Sequence, residues 1–256
     1  MCDVCGCGDP AKVTIEVHRS LLEDNDHEAA HLREHFAAKG VTVINLMGSP
    51  GSGKTALLEA TAAALPGRRL AAVSGDLATD LDGERLRRAG IVSRSITTGN
   101  ACHLDAKMVH RALHLPDLGS AVADAEFFFI ENVGNLVCPA IYDLGQRVNI
   151  VALAVTEGVD KPLKYPVMFE RADLVVLTKV DLLPYLGEVS IDVLRENLDR
   201  VHAGLPLIAT SARSGQGIAD WVDWLDRQRA RTPRAETTPA QSGHAQDPRH
   251  SDHHHP

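Results

Sequence analysis

The run VTVINLM (41–47), followed by GSPGSGKT (48–55), constrains the fold of this chain more than any other feature of the sequence. The apolar run ends in a glycine-rich loop of the form G-x-x-x-x-G-K-S/T, and the helix-forming sequence ALLEATAAAL follows directly. Such a loop lets backbone N–H groups approach phosphate oxygens, and the start of a helix favours an anion. The segment therefore predicts a strand, a phosphate-binding loop and a helix in succession. The alternative is a glycine turn that merely begins a helix, and the agreement of motif, strand and helix disfavours it.

Strand-like and helix-like stretches alternate over most of the chain. The strand-like runs are continuously apolar, as in parallel strands covered on both faces, and the clearest occupy residues 41–47, 70–74, 126–130, 148–155, 172–178 and 205–210. A further strand is predicted over IVSRSIT (91–97), and helix-like stretches lie near residues 54–65, 80–89, 105–114, 190–203 and 217–229. This alternation predicts an α/β three-layer sandwich with a mostly parallel sheet, a P-loop NTPase domain over residues 41–229.

The two ends of the chain differ from this domain. Residues 1–19 are rich in Cys and Gly and show little periodicity, and residues 20–40 form a predicted N-terminal helix. Residues 230–256 consist mainly of Pro, Thr, Ser, Gln and His. Because that tail has few apolar residues to bury, we predict that it is disordered.

Composition and charge exclude several kinds of partner. The formal net charge is −8, so no general attraction for nucleic acid or an anionic membrane is expected. No apolar run approaches the roughly 18 residues of a membrane span, and no secretory signal is visible. We therefore expect a cytoplasmic protein, in which clustered cysteines are metal ligands or redox groups before they are disulfides.

The loop predicts a nucleotide phosphate site with Mg²⁺. Lys54 should reach the β- and γ-phosphates, and the Thr55 hydroxyl should bind the magnesium ion. Asp76 and Glu131 follow strand-like runs, so both can complete the magnesium site at the carboxyl edge of the sheet, although either could instead cap a helix. Asp80 is a weaker candidate. The predicted phosphate-binding residues are Gly48, Ser49, Pro50, Gly51, Ser52, Gly53, Lys54 and Thr55, and the predicted catalytic set is Lys54, Thr55, Asp76 and Glu131.

Two short motifs indicate which base is bound. The sequence TKVD (178–181) resembles the guanine-reading N/T-K-x-D motif, in which Asp181 would accept hydrogen bonds from N1–H and the exocyclic amine of guanine. Adenine cannot offer that pair of donors. The Lys179 stem would lie against the base, and Ser211-Ala212 resembles the loop that approaches guanine O6. Thr178 replaces the commoner Asn, so one hydrogen bond that steadies the loop should differ. Together the motifs favour GTP over ATP.

The opening sequence MCDVCGCG places three cysteines in seven residues and predicts a metal site. Thiolates are soft ligands that suit zinc, nickel or copper(I). If Met1 is removed, the α-amine of Cys2 becomes a fourth donor beside the three sulfurs, a plausible square-planar set for Ni(II). A structural zinc site or a redox pair is the alternative, although structural zinc normally has four protein ligands. The predicted ligands are Cys2, Cys5 and Cys7.

The remaining two cysteines suggest a second metal site. Cys102 and His103 follow a predicted strand, and Cys138 lies seven residues after Glu131. Three ligands leave one position open, or a dimer shares the site. Because Cys138 lies on the segment that leaves Glu131, a γ-phosphate that moves this segment would also move a metal ligand. The alternative is two small buried side chains and a histidine that begins a helix.

Other histidines are less specific. One series, His27, His31 and His35, is spaced four apart, and His110 and His114 form a similar pair. A metal-binding face is possible, but this spacing alone favours a solvated helix surface. The tail histidines at 253–255 would bind nickel weakly in any protein.

These motifs together resemble the hydrogenase nickel-incorporation GTPases of the HypB family, which belong to the SIMIBI class of P-loop GTPases. The matching pieces, in family order from residue 1 to about 228, are MCDVCGCG, VINLMGSPGSGKTALLE, SGDLATDLD, TGNACHLDA, FIENVGNLVCPA and TKVDLLPYL. The resemblance implies a metallochaperone GTPase that helps deliver Ni²⁺ to nickel–iron hydrogenase. It implies a high-affinity nickel site at the N-terminal cysteines. It also implies a weaker nickel or zinc site, at a dimer interface, formed by Cys102, His103 and Cys138.

The resemblance also implies GTP-dependent homodimerisation, slow hydrolysis and three protein partners: HypA, the prolyl isomerase SlyD in some bacteria, and the hydrogenase large subunit. Slow turnover agrees with the residues, since none stands out as a base that activates water. Two alternatives remain. One is a nickel store or sensor whose nucleotide use is incidental. The other is a urease-type accessory GTPase, which the sequence disfavours because CPA (138–140) lacks the histidine of a compact Cys-Pro-His motif.

Overall fold

The computed structural model describes residues 10–76, 79–99, 101–187 and 189–232, and for residues 10–19 it describes the backbone only. Its strands are β1 Thr42–Met47, β2 Leu70–Asp76, β3 Val92–Thr97, β4 Phe127–Glu131, β5 Val148–Ala154, β6 Leu174–Thr178 and β7 Leu207–Ala209. Its helices are α1 Pro10–Lys39, α2 Lys54–Ala64, α3 Leu81–Arg88, α4 Ala106–Leu113, α5 Pro116–Asp124, α6 Lys161–Lys164, α7 Pro166–Glu170, α8 Ile191–Val201 and α9 Ile218–Ala230.

The seven strands form one sheet in the order β3-β2-β4-β1-β5-β6-β7, and every ladder between them is parallel. The predicted three-layer α/β fold is therefore confirmed. Strand β1 lies at the centre, where the chain order changes direction across the sheet. Such a switch point opens a crevice at the carboxyl ends of the strands, and the glycine-rich loop begins there.

Both faces of the sheet are buried, which explains the continuous apolar runs. Successive side chains of a strand point to opposite faces. In β4, Phe127 and Phe129 pack in a cluster with Trp221 of α9, whereas Phe128 and Ile130 pack in another with helices α1, α4 and α5. A third cluster lies between the β5–β6 half of the sheet and helices α7 and α8. The sheet is therefore a rigid base that holds the loops at its carboxyl edge.

Four helices differ from the sequence-based expectation, and two of them, α6 and α7, are short helices that were not predicted. Helix α1 begins at Pro10, earlier than the predicted start at residue 20, so part of the predicted 1–19 segment is helical; the division into domains stays a prediction. Helix α5 was not predicted, because Gly119 lies inside it and glycine disfavours helix. A Cβ at position 119 would lie 2.4 Å from the Leu113 carbonyl oxygen, so the close approach of α5 to the end of α4 requires glycine.

Among the described residues, no helix is both long and apolar enough to cross a bilayer.

Candidate nucleotide site and metal centre

The phosphate-binding loop connects the end of β1 to the start of α2, as predicted. Its first glycine, Gly48, has φ of 145°, and a Cβ there would lie 2.3 Å from the Ala152 carbonyl oxygen of β5. Only glycine lets the loop leave β1 along this path. Gly53 has φ of 91° and turns the chain directly into α2, whose first residues are Lys54 and Thr55. The N-terminal N–H groups of α2 therefore face the crevice.

The Lys54 side chain lies inside this loop. Its Nζ donates hydrogen bonds to the carbonyl oxygens of Gly48 (3.2 Å) and Ser49 (3.1 Å). Burial lowers the pKa of Lys54, and the nearby carboxylates of Glu131 and Asp82 oppose that change. The ammonium is thus held at the position from which it would meet phosphate oxygens.

The Thr55 hydroxyl lies among carboxylates, which is the arrangement a magnesium site requires. Its Oγ1 is 2.6 Å from Glu131 Oε1 and 2.9 Å from Asp82 Oδ1. Glu131 was predicted, but Asp82 was missed. The missed signal was the sequence TDLDGE (79–84), whose second acidic residue, Asp82, lies in the first turn of α3, against the start of α2.

Glu131 is the most strongly perturbed acid of the site. It is 2 % exposed, and burial raises its pKa to about 7, while the Thr55 hydroxyl and the Lys54 ammonium lower it in part. Its Oε2 atom is buried and has no hydrogen-bond partner among the described residues. A buried carboxylate oxygen without a partner fits a cation, and Mg²⁺ is usually bound through one or two carboxylates, waters and substrate phosphates. The residues present therefore fit magnesium.

The other two predicted acids occupy different positions. Asp76 lines the same cleft and accepts a hydrogen bond from the Thr79 hydroxyl. Asp80 pairs with the Arg87 guanidinium at 2.7 Å and also with Ser95, and the Arg87 hydrogen bond lowers the pKa of its carboxyl. Asp80 thus joins α3 to β3 and does not reach Thr55.

Two adjoining cavities have the arrangement of a nucleotide site. A cleft of about 480 Å³ lies over the phosphate-binding loop and includes the carboxylates of Asp76, Asp82 and Glu131. A second cavity of about 260 Å³ lies at the base-reading motif, and Lys179 borders both. The second cavity is lined in part by the predicted residues Thr178, Lys179, Asp181, Ser211 and Ala212.

Hydrogen bonds join the base-reading loop to the phosphate-binding loop. The Thr178 hydroxyl donates to the Ser52 carbonyl at 2.6 Å, and Lys179 Nζ donates to the Gly51 carbonyl at 2.6 Å. Lys179 adopts a left-handed conformation with φ of 60°, which directs its stem across the cavity. Thr178 therefore holds the base-reading loop directly to the phosphate-binding loop through its hydroxyl.

Within the second cavity, Ser211 Oγ donates to Asp181 Oδ1 at 2.7 Å. This bond orients the carboxylate that was predicted to read guanine. One further contact was not predicted: the Ser49 hydroxyl donates to Glu157 Oε2 at 2.5 Å, while Glu157 Oε1 accepts from the Ala154 backbone N–H. Glu157 thus anchors the phosphate-binding loop to the end of β5.

The three predicted ligands of the second metal site lie together in the structure. Cys102 Sγ lies 2.8 Å from Cys138 Sγ and 3.8 Å from His103 Nδ1, and the three ligand atoms all lie within 4.8 Å of one another. The two cysteines are not joined by a disulfide. Two thiols and one imidazole form a donor set that suits Zn²⁺ or Ni²⁺. A fourth ligand is not present among the described residues within this group.

The surroundings orient His103 and favour its ligating form, whereas they disfavour the thiolate of Cys138. The His103 ring stacks on Tyr142 at 3.8 Å with 14° between the planes, which fixes the ring orientation. Burial lowers the pKa of His103, so the neutral imidazole that binds metal is favoured. Burial and the neighbouring Cys102 raise the pKa of Cys138, so a metal ion must displace its proton.

The metal centre is linked to the nucleotide site by residues 131–138, here called the connecting segment. Asn132 is buried; its Oδ1 accepts from the Leu104 backbone N–H at 3.1 Å, directly beside His103. Asn135 pairs with Gly48 through a backbone bridge, its N–H bonding the Gly48 carbonyl at 3.1 Å. One segment thus includes the buried Glu131 and the candidate metal ligand Cys138, and it contacts the phosphate-binding loop between them.

The N-terminal ligands Cys2, Cys5 and Cys7 lie outside the described residues, as does the tail from residue 233 onward. These predictions stay predictions.

The fold and the nucleotide site define a P-loop GTPase-type protein, and a family model described as "CobW/HypB/UreG, nucleotide-binding domain" matches residues 42–209. The hydrogenase maturation factor HypB of Azotobacter vinelandii is 47% identical over 223 residues, covering 86% of this chain and 72% of that protein. The hydrogenase/urease maturation factor HypB of Helicobacter hepaticus is 44% identical, covering 86% of this chain and 90% of that protein. This chain belongs to the HypB family.

Among solved structures, that of HypB from Helicobacter pylori in complex with nickel superimposes with a TM-score of 0.78 at 38% identity. The match covers 83% of this chain and 98% of that one. The family predicted from the motifs is therefore confirmed.

Proposed function

We propose that this protein is a GTP-hydrolysing nickel metallochaperone that assists nickel insertion into nickel–iron hydrogenase in the cytoplasm. The observation that carries the proposal is the connecting segment, which begins at the buried carboxyl of Glu131 and ends at the metal ligand Cys138. The names of the relatives, hydrogenase maturation factors and a nickel complex, support the same function.

The nucleotide chemistry depends on position and charge. Lys54 and the N–H groups at the start of α2 bind the phosphates, and Thr55, Glu131 and Asp82, with Asp76 nearby, would hold Mg²⁺. When bound, this ion neutralises phosphate charge that develops during transfer. No base is placed to activate water among the described residues of the cleft, so hydrolysis should be slow, as in a switch.

Guanine recognition rests on Asp181. Its carboxylate is oriented by Ser211 and lies in the cavity beside the Lys179 stem. Two carboxylate oxygens can accept from N1–H and the exocyclic amine of guanine. Adenine presents an acceptor at N1, so it would leave the half-buried carboxylate facing that acceptor instead of a donor.

The connecting segment supplies a route from phosphate to metal. Gly134 packs so tightly on the phosphate-binding loop that a Cβ there would lie 2.8 Å from the Pro50 nitrogen. A γ-phosphate that shifts this loop must therefore shift Gly134 as well. Asn132 passes the displacement to Leu104 and so to His103, and Cys138 moves with the end of the segment. Nickel affinity at Cys102, His103 and Cys138 then depends on the nucleotide.

Nickel binding, dimerisation and protein partners complete the proposed function. Cys2, Cys5 and Cys7 load Ni²⁺ tightly, and the internal centre holds Ni²⁺ or Zn²⁺ more weakly. Val137 and Ile141 are exposed apolar side chains beside Cys138, which supports a GTP- or metal-linked homodimer across this face. HypA, SlyD and the hydrogenase large subunit are the proposed protein partners.

The deciding experiment is a competition titration of Ni²⁺ into the reduced full chain, with GDP and with a non-hydrolysable GTP analogue. A Cys2/Cys5/Cys7→Ala variant should lose one tight site and keep a weaker, nucleotide-sensitive one. A Cys102→Ala/Cys138→Ala variant should lose only the weaker site. Survival of the tight site in the first variant would reject the N-terminal assignment.

Enzyme activity is tested separately. Lys54→Ala should abolish GTP hydrolysis, since it removes the ammonium from the phosphate-binding loop, and ATP should be a poor substrate. If ATP is hydrolysed as well as GTP, the guanine assignment is wrong.

A further inference from the structure

The fold brings two members of each histidine series, which are distant in the sequence, into one cleft between α1 and α4. The cleft has a volume of about 650 Å³, and its polar lining includes Glu28, His31, His35, His110 and His114. Leu32 and Leu113 contribute apolar lining. From the sequence alone each series is an ordinary solvated helix face. Their meeting is a property of the tertiary structure.

The two α4 histidines already stand at the spacing of metal ligands. His110 Nε2 and His114 Nε2 are 3.2 Å apart. Two nitrogens bound to one metal at about 2.0–2.1 Å are separated by roughly 2.8–3.4 Å, from square-planar to tetrahedral geometry. His110 lies on α4 and His114 caps its C-terminus one turn later, so both rings lie on the same helix face.

A carboxylate orients one of these rings. Glu28 Oε1 pairs with His110 Nδ1, so the ring donates its Nδ1 proton to Glu28. In that tautomer Nε2 carries the lone pair, and it is Nε2 that faces His114. Carboxylate–histidine pairs of this kind commonly support metal ligands and raise their basicity.

Helix α1 supplies the further donors. His35 lines the same cleft as His110 and His114. His31 lies one turn before His35 and lines the same cleft. Both side chains are exposed and can turn toward the α4 pair.

We propose that this cleft is a histidine site for a borderline divalent metal ion such as Ni²⁺ or Zn²⁺. His110 and His114 are the primary ligands, His35 completes the set from α1, and Glu28 is a positioning residue. The site contains no thiolate, and it is separate from the cysteine centre and the connecting segment. It does not rest on the proposed GTPase function. Imidazole donors suit these metals.

The test counts Ni²⁺ bound per chain by equilibrium dialysis of the reduced full-length protein. The His110→Gln/His114→Gln variant should bind one ion fewer than the unsubstituted chain. Tail and N-terminal ligands are the same in both, so the difference isolates the cleft. Glu28→Gln should keep the site and weaken it about 10- to 100-fold, because it removes the charged partner of His110. Far-UV circular dichroism and GTP affinity check that each variant is folded.

His27→Gln is the matched control, because His27 lies on the same helix but does not line the cleft. It should leave the number of bound ions unchanged. Co²⁺ is the spectroscopic probe: the ion lost from the double histidine variant should lack sulfur-to-metal charge-transfer absorption. The Cys102→Ser/Cys138→Ser variant should keep that ion. An unchanged count in the double variant, or an equal loss in His27→Gln, would overturn the proposal.

Discussion

At the scale of single residues, Glu131 is the acid whose ionised form is most strongly disfavoured by burial when no cation is bound. Its carboxyl has an ordinary pKa of 4.5, and burial raises this to about 7. Between these values the folded chain keeps a proton that the unfolded chain has released. The free energy of unfolding contributed by this residue is therefore highest below pH 4.5 and is lost as the pH rises through about 7.

Glu131→Gln should remove this pH dependence in the nucleotide-free protein. The free energy of unfolding of the variant, relative to that of the unsubstituted chain, should increase by on the order of 3 kcal/mol from pH 5 to pH 8. Urea unfolding at a series of pH values measures it. With Mg²⁺ and GDP the advantage should shrink, since the charged carboxylate then has a partner. A difference that does not change with pH would contradict the raised pKa.

Thr178→Ala should weaken both stability and GTP binding. The change leaves the buried Ser52 carbonyl without its 2.6 Å donor, which costs about 1–3 kcal/mol of unfolding free energy. Thr178→Ser is the control, because it keeps the hydroxyl and should retain most of the GTP affinity. Denaturant unfolding measures the loss of stability, and GTP titration measures the loss of affinity. Equal affinities for the Ala and Ser variants would show that the hydroxyl bond is unimportant.

The sequence predicted the residues of this site unevenly, for a physical reason. Lys54 and Thr55 belong to a motif that begins where β1 ends, and Glu131 is the last residue of β4. The parallel sheet therefore places all three at its carboxyl edge. Asp82 depends on how α3 crosses α2, and nothing local in TDLDGE separates it from Asp80. Asp80 proved to be paired with Arg87 instead.

At the scale of elements, the connecting segment is held to the phosphate-binding loop by close packing. Gly134→Ala would bring a Cβ within 2.8–2.9 Å of Pro50 backbone atoms, so either the loop or the segment must move. We expect weaker GTP binding and a loss of nucleotide dependence in nickel binding, measured by titration. Gly187→Ala is the matched control, since a Cβ there meets nothing within 4 Å. Equal nucleotide affinity in the two variants would show that this contact is not required.

Elements with a strong local pattern were predictable, and those defined by their neighbours were not. All seven strands lie within the predicted runs or close to them, and in β1, β2, β4, β5 and β6 burial on both faces accounts for the continuous apolar sequence. Helix α5 lacks such a record, since its small residues and Gly119 serve the contact with α4. The cleft of His35 and His110 could not be foreseen either, because it exists only where α1 crosses α4.

At the scale of the whole molecule, the two sites should be thermodynamically coupled. If a GTP analogue changes Ni²⁺ affinity at the cysteine centre by some factor, Ni²⁺ must change the affinity for that analogue by the same factor. Asn132→Ala should bring the factor close to one, because it removes the bond to the Leu104 N–H. Asn197→Ala removes another buried amide bond, to the Val159 carbonyl, and should leave the factor unchanged. Titration of Ni²⁺ with and without the GTP analogue, and of the analogue with and without Ni²⁺, tests whether the two factors are equal.

The two bonds from Thr178 and Lys179 to the carbonyls of Ser52 and Gly51 have a kinetic consequence. These bonds join the base-reading loop to the phosphate-binding loop. A base other than guanine should therefore also disturb the geometry at the reacting phosphorus. Discrimination against other nucleoside triphosphates should then appear in kcat as well as in KM. An analogue such as inosine triphosphate, which lacks only the exocyclic amine, should be bound less tightly and also hydrolysed more slowly at saturation.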